Sequence, residues 1–186
     1  MIEINDILKD VNNGLKTHYY KDIKFYEVSE LITREDIEGS EIISPEIYKG
    51  DGQYEHIQDD TKGLIIYHRI ISFDNDEDTE KGFGRNSLNT ENYEIKTVFY
   101  GQQPSIKKDC EDINYVLAKE FKKLVPRRLN VSGEHRTSIT VGSIDYDKTS
   151  IKEEEGLKIV PESVLFTLTL SVKIIVLENC NELTCN

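Results

Sequence analysis

From Phe166 to Ile174 the chain alternates without a break: Phe166, Leu168, Leu170, Val172 and Ile174 occupy one parity, and Thr167, Thr169, Ser171 and Lys173 the other. Side chains on a strand point to opposite faces in turn, so this period of two predicts a strand with one apolar face and one polar face. A helix would spread the same residues around its circumference. The stretch therefore fixes a sheet as the centre of the fold, and the rest of the chain must cover its apolar side.

Two segments have the periodicity of such a cover. From Ile4 to His18, Ile4, Ile7, Leu8, Val11 and Leu15 make one stripe at helical spacing. A second helix is predicted from Ile106 to Leu124. Ile106, Cys110, Ile113, Leu117 and Leu124 mark its stripe, and Val116 and Phe121 widen it. Pro104 sits near its start and Pro126 beyond its end, while Lys122, Lys123, Arg127 and Arg128 gather where the helix dipole is negative, as a complement to it or as a contact for an acidic partner or phosphate.

Further strands are predicted at Leu64–Phe73, Tyr93–Tyr100 and Ser138–Ile144, and a short one within 21–32 around Ile23, Phe25 and Val28. In Leu64–Phe73 both parities are apolar. Leu64, Ile66 and Ile70 are assigned to one face and Ile65, Tyr67, Ile71 and Phe73 to the other, which predicts a cover on each side: helices on one, and on the other a further element or a neighbouring subunit. Tyr93–Tyr100 is expected to return antiparallel to it. Three segments, at 33–62, 74–92 and 145–162, are rich in Asp, Glu, Gly and Ser and are predicted as long polar loops, with a hairpin turn at Gly50-Asp51-Gly52 in the first. The expectation is a single α+β domain over residues 1–186: a mostly antiparallel sheet with two amphipathic helices packed on one face, in two layers.

Chemistry is hard to find in the chain. There is no phosphate loop, dinucleotide-binding glycine pattern or nucleophile elbow. Lys81-Gly82-Phe83-Gly84-Arg85 lacks the apolar helix that would present its amides to a phosphate. Asp74-Asn75-Asp76-Glu77-Asp78 opens like a calcium loop, but Thr79 and Arg85 stand where that loop needs Gly and Glu. Cys110, Cys180 and Cys185 read as reduced thiols, and no two of His18, His56, His68 and His135 share ligand spacing on one element. Acid pairs such as Asp59-Asp60, and Asp109 with Glu111 and Asp112, are what a chain with 35 acidic residues produces by chance. No catalytic, cofactor-binding or metal-binding residue is assigned, and the chain is not expected to be an enzyme.

The formal net charge is −12, which opposes binding to the DNA backbone. No apolar run is long enough for a membrane helix, and Met1-Ile2-Glu3-Ile4 has no export signal, so a cytoplasmic product is expected.

In its order of elements the chain resembles the tail terminator and neck-ring proteins of tailed bacteriophages. The resemblance rests on the helix Ile4–Leu15, the strand pair Leu64–Phe73 and Tyr93–Tyr100, the helix Ile106–Leu124 and two closing strands, and on no fingerprint motif. It implies a structural virion protein, assembled in the host cytoplasm into a ring, commonly a hexamer, at the head–tail or neck–tail junction. The implied partners are other copies of the chain and neighbouring neck, connector, tail-tube or sheath proteins, with DNA passing through unbound. The segments 33–62 and 74–92 are longer than in small members of that family. Two alternatives stand beside it: a small-ligand domain or enzyme using Tyr67, His68, Arg69 and nearby acids, and an acidic inhibitor that mimics nucleic acid.

Overall fold

The computed structural model describes residues 4–18, 23–57, 64–78, 88–102, 113–125, 128–132, 135–157 and 163–177. Three antiparallel strands form the middle of the fold: β5 (Leu64–Asp78), β6 (Leu88–Gln102) and β9 (Ser163–Leu177). On either side the six-stranded sheet is completed in the order β1-β5-β6-β9-β8-β7, with β1 (Ile23–Val28), β8 (His135–Asp145) and β7 (Arg128–Ser132). Only the β1–β5 pairing is parallel among these ladders. The class is α+β and mostly antiparallel, as the period-two pattern predicts.

The residues that alternate in β9 do what alternation requires. Val164, Phe166, Leu168, Leu170, Val172 and Ile174 are buried on one face. They pack with Leu64, Ile66, Ile95 and Phe99 against Ile7, Leu8 and Val11 of α1 (Ile4–His18) and Leu117, Ala118 and Phe121 of α2 (Ile113–Leu124). Phe99 stacks on Phe166 at 4.3 Å and meets Phe121 edge-on at 4.9 Å. The part of the predicted second helix before Ile113, with Cys110, lies outside the described residues, as do Cys180 and Cys185.

The opposite face has its own cover, so the fold has a third layer where two layers were expected. The segment 33–62 is no loop over its described length. It contributes most of a second sheet, ordered β2-β3-β4, from β2 (Glu30–Glu35), β3 (Glu41–Gly50) and β4 (Gln53–His56), with the turn at Gly50–Gly52 as predicted. Its polar composition misled because both faces of a small outer sheet are largely wet, and only Ser44 to Ile47 of β3 are buried. The segment 145–162 likewise holds a helix, α3 (Lys148–Glu155). Ile47, Ile57, Ile151 and Leu157 from this layer close a second core with Ile65, Tyr67, Val98, Tyr100 and Leu165. The cover over Leu64–Tyr67 is therefore the chain itself and not a neighbour.

The segment 74–92 is also shorter as a loop than expected. β5 continues to Asp78 and β6 begins at Leu88, paired residue by residue, and β6 keeps its pairing to β9 over the same length, so these residues extend the sheet; residues 79–87, with the Gly82-Phe83-Gly84 motif, lie outside the described residues. One bulge changes the facing of β5. Ile70 pairs with Ile95 and Ser72 with Glu94, leaving Ile71 as the extra residue, so every later side chain of β5 changes face. Phe73 therefore joins Tyr93 on the helix side, ring centroids 4.7 Å apart, and not the face predicted for it.

Candidate functional site

Strand alternation separates the residues that the sequence placed together in Leu64–Phe73. His68 faces the helices and is fully buried. Its Nε2 lies 3.2 Å from Asn12 Oδ1, and its Nδ1 2.9 Å from Thr97 Oγ1. An amide oxygen only accepts, so Nε2 carries the proton and Nδ1 accepts from the threonine hydroxyl. Both partners are neutral, and burial pushes the imidazole pKa down to about 3. His68 is a satisfied core residue that ties α1 to the sheet.

Tyr67 and Arg69 point the other way, to α3. The Tyr67 hydroxyl donates to Glu155 Oε2 at 3.1 Å. Arg69 reaches Glu154 Oε1 at 3.2 Å and Glu155 Oε1 at 3.4 Å, and Lys96 approaches the same two carboxylates. Glu155 is wholly buried. Burial pushes its carboxyl up, and Arg69 and Lys96 pull it back; for the half-exposed Glu154, the hydrogen bond from Lys96 lowers it. Burial pushes the Tyr67 phenol up too, with Glu155 adding to it. Two cations, two carboxylates and a phenol balance one another here, and the cluster clamps the end of α3 to the sheet.

The local sequence explains how α3 reaches that position. Asp147 caps its start, accepting from the Thr149 and Ser150 amides, and Gly156 ends it in the left-handed conformation at φ 62°. A Cβ on Gly156 would lie 1.8 Å from the Ile43 carbonyl oxygen. The Asp147 and Gly156 bracket was readable in the sequence and marks a helix where the Glu153-Glu154-Glu155 run suggested a loop. A second ionic group lies in the small sheet. Arg34 grips the buried Glu46 with two nitrogens, Ser44 donates to it at 3.1 Å, and His56 stands 3.9 Å away. The Arg34 hydrogen bond holds the Glu46 carboxyl below its usual range.

The basic residues at the end of α2 border an open groove of about 750 Å³. Tyr115, Lys119, Lys122 and Lys123 line it from the helix, and Ile144 and Tyr146 from the end of β8. The spacing of Tyr115, Lys119 and Lys122 puts them on one helical face; of this surface the sequence singles out Lys122 and Lys123, as charge at a helix end or as a contact for an acidic partner or phosphate. Lys119 stands 6.0 Å from the centre of the Tyr115 ring, and Lys123 pairs with Glu120 at 2.7 Å. Arg127 lies outside the described residues, and only the backbone of Arg128, in β7, is described. The same holds for the side chains of His18 and His135 and for all of Asp59, Asp60, Asp109, Glu111 and Asp112. Among the described residues, no group of three or more His, Cys, Asp or Glu is arranged to hold a metal ion, and no helix is long and apolar enough to cross a membrane.

Both margins of the large sheet are partly open. β1 pairs with β5 only along Leu64–His68, so among the described residues Arg69–Asp78 has no strand on its outer side. β7 pairs with β8 only along His135–Ser138, which leaves Ile139–Asp145 open in the same sense. Ile70, Ile71 and Phe73 lie exposed on the first margin. Compared with known proteins, the chain matches no family model and no curated protein.

Proposed function

We propose that this chain is a structural virion protein of a tailed phage, a tail terminator or neck subunit that assembles into a ring at the head–tail junction through which DNA passes. The observation that carries this reading is the pair of open margins on opposite sides of one sheet. A head-to-tail ring needs two different, complementary surfaces on each subunit, and a strand margin with unpaired amides and carbonyls is such a surface. β5 and β8 run in opposite directions within the sheet, so placing β5 of one copy beside β8 of the next continues the sheet antiparallel. A net charge of −12 suits a wall that DNA passes without adhering.

The small-ligand alternative requires Tyr67, His68 and Arg69 to line one cleft. His68 faces the helices, while Tyr67 and Arg69 are engaged with Glu154 and Glu155 on the other face, so this reading has less to support it. The test is mass. In native mass spectrometry and electron-microscopy class averages, rising protein concentration is expected to convert monomer into closed rings. A protein that stays monomeric across the accessible range sinks the reading.

A further inference from the structure

We propose that residues 69–75 on the β5 margin of one copy pair with residues 139–145 on the β8 margin of the next in a single antiparallel register, which sets Ile70 opposite Ile144, Phe73 opposite Val141 and Asn75 opposite Ile139. The inference rests on the ring reading and deepens it by naming the residues that join one subunit to the next.

The two margins carry the same irregularity at matching places. In β5, Ile71 is an extra residue, so Ile71 and Ser72 together separate Ile70 from Phe73, the helix-side positions. In β8, Val141 pairs with Leu170 and Ile144 with Leu168, so Gly142 and Ser143 both stand against Thr169 and likewise separate two helix-side residues. Within the subunit β6 and β9 are regular and leave each extra residue unmatched. Laid antiparallel, the two margins bring one bulge onto the other. From 69 against 145 to 75 against 139, helix-side residues then meet helix-side residues across the join. Of the alignments that use all of residues 139–145, this one alone keeps the two faces apart. It begins at the first β5 residue beyond β1 and ends where β7 takes over, so no strand has to be displaced.

The backbone groups agree with that register. Facing and hydrogen-bond direction are coupled along a strand. The carbonyl of His68, a helix-side residue, accepts from the Ser29 amide at 2.8 Å, so the helix-side residues of β5 turn their amides and carbonyls to the outer margin. β8 runs opposite to β5 at the other side of the sheet, and its helix-side residues therefore turn theirs outward too. Ile70 with Ile144, Phe73 with Val141 and Asn75 with Ile139 can each exchange two backbone hydrogen bonds. Ile70 and Phe73, both exposed, each gain an apolar neighbour. On the other face Arg69 is set opposite Asp145 and Asp74 opposite Thr140, so no like charges oppose one another across the join. Within one copy the two segments lie at opposite margins of the sheet, so the contact must form between copies.

Paired cysteines test the register directly. In a chain whose native cysteines are changed to serine, Asp74→Cys with Thr140→Cys is expected to give disulfide-linked oligomers on oxidation, seen on a non-reducing gel. Within one copy these positions are three strand spacings apart, about 14 Å, against the about 7 Å that a disulfide spans. Ser72→Cys with Thr140→Cys, one pleat out of register, is expected to link at least about fivefold less. Deletion of Ile71 removes the bulge and leaves the flanking β5–β6 pairs as they are. It is expected to weaken self-association at least about tenfold in sedimentation equilibrium, and a further deletion of Ser143, which removes the facing bulge, to recover it. Wild type that assembles while the Asp74 and Thr140 pair links no better than the control, or while a folded Ile71 deletion assembles equally well, overturns this register and leaves the ring reading intact. Monomeric wild type overturns both. Should the deletions melt far below wild type, the two cysteine pairs decide the matter alone.

Discussion

At the scale of single residues, the two ionisable groups that strand β5 carries to its two faces have opposite consequences. His68 is neutral in a site with no charged partner, so the unfolded chain, with an imidazole pKa near 6.5, binds a proton that the folded one refuses until about pH 3. Its folded pKa is lowered, hence its contribution is complete above about pH 6.5 and is lost as the pH falls. By pH 5 the loss reaches about 2 kcal/mol. Urea unfolding at pH 7 and pH 5 should show that drop in wild type and a flatter dependence in His68→Gln; equal slopes would mean that another group titrates. Glu155 is buried beside the largely covered Arg69, and removing the arginine leaves Lys96 and Tyr67 to balance that carboxylate. Arg69→Met is expected to lower stability by about 3 kcal/mol or more, and Arg69→Met with Glu155→Met by less than the two single changes combined. Additive losses in a double-mutant cycle would show that the two groups do not act together. Leu168→Asp, in the fully buried row of β9, is expected to prevent folding, because an unpaired buried charge costs several kcal/mol; circular dichroism reads the outcome, and a melting transition like that of wild type would mean the strand register is wrong.

At the scale of elements, α3 is the piece on which the second core depends. A helix this short is marginal in isolation, so caps and packing must hold it. Its cap Asp147 satisfies two amides, its buried Ile151 closes the core against Ile65 and Leu165, and Gly156 lets the chain turn close beneath Ile43. Gly156→Ala forces a left-handed alanine against a carbonyl oxygen, and an expected loss of about 2 kcal/mol or more should appear as a lowered melting temperature. Hydrogen exchange in that variant should rise first in α3 and the β2–β4 sheet, while β9 stays protected. Uniform exchange across all strands would show that the outer layer is not a separate unit.

At the scale of the whole molecule, most apolar surface is hidden by the chain itself, in one core under α1 and α2 and one under the small sheet. Among the described residues, the exposed large hydrophobic side chains lie at the β5 margin (Ile70, Ile71 and Phe73), on the outer sheet and its turn (Ile37, Ile42, Ile43 and Tyr48) and at the α2 groove (Tyr115 and Tyr146). Limited proteolysis separates the two acidic segments that looked alike in sequence. The β2–β4 sheet should resist cleavage except near its Asp36–Ser40 turn, whereas the β5–β6 connection should be cut within 74–92 in the isolated subunit and protected on assembly. Equal cleavage of that connection in both states counts against its role as a contact.

The sequence by itself determined the central sheet, the helix Ile4–His18 and the faces of β9, because period two and period 3.6 are local properties that a strand or helix must express whatever surrounds it. It also determined that the chain is strongly acidic. Three things were decided only by the tertiary structure. The bulge at Ile71 reversed the facing of Phe73, since one unpaired residue alters every later side chain and leaves no mark in composition. Over their described lengths the polar segments 33–62 and 145–162 became strands and a helix because a few apolar residues, Ile47, Ile57, Ile151 and Leu157, cover the second face of the sheet. The candidate surface itself, Lys119 and Lys122 beside Ile144 and Tyr146, joins a helix to a strand margin distant from it in sequence, and no periodicity within either element can announce a neighbour that only packing supplies.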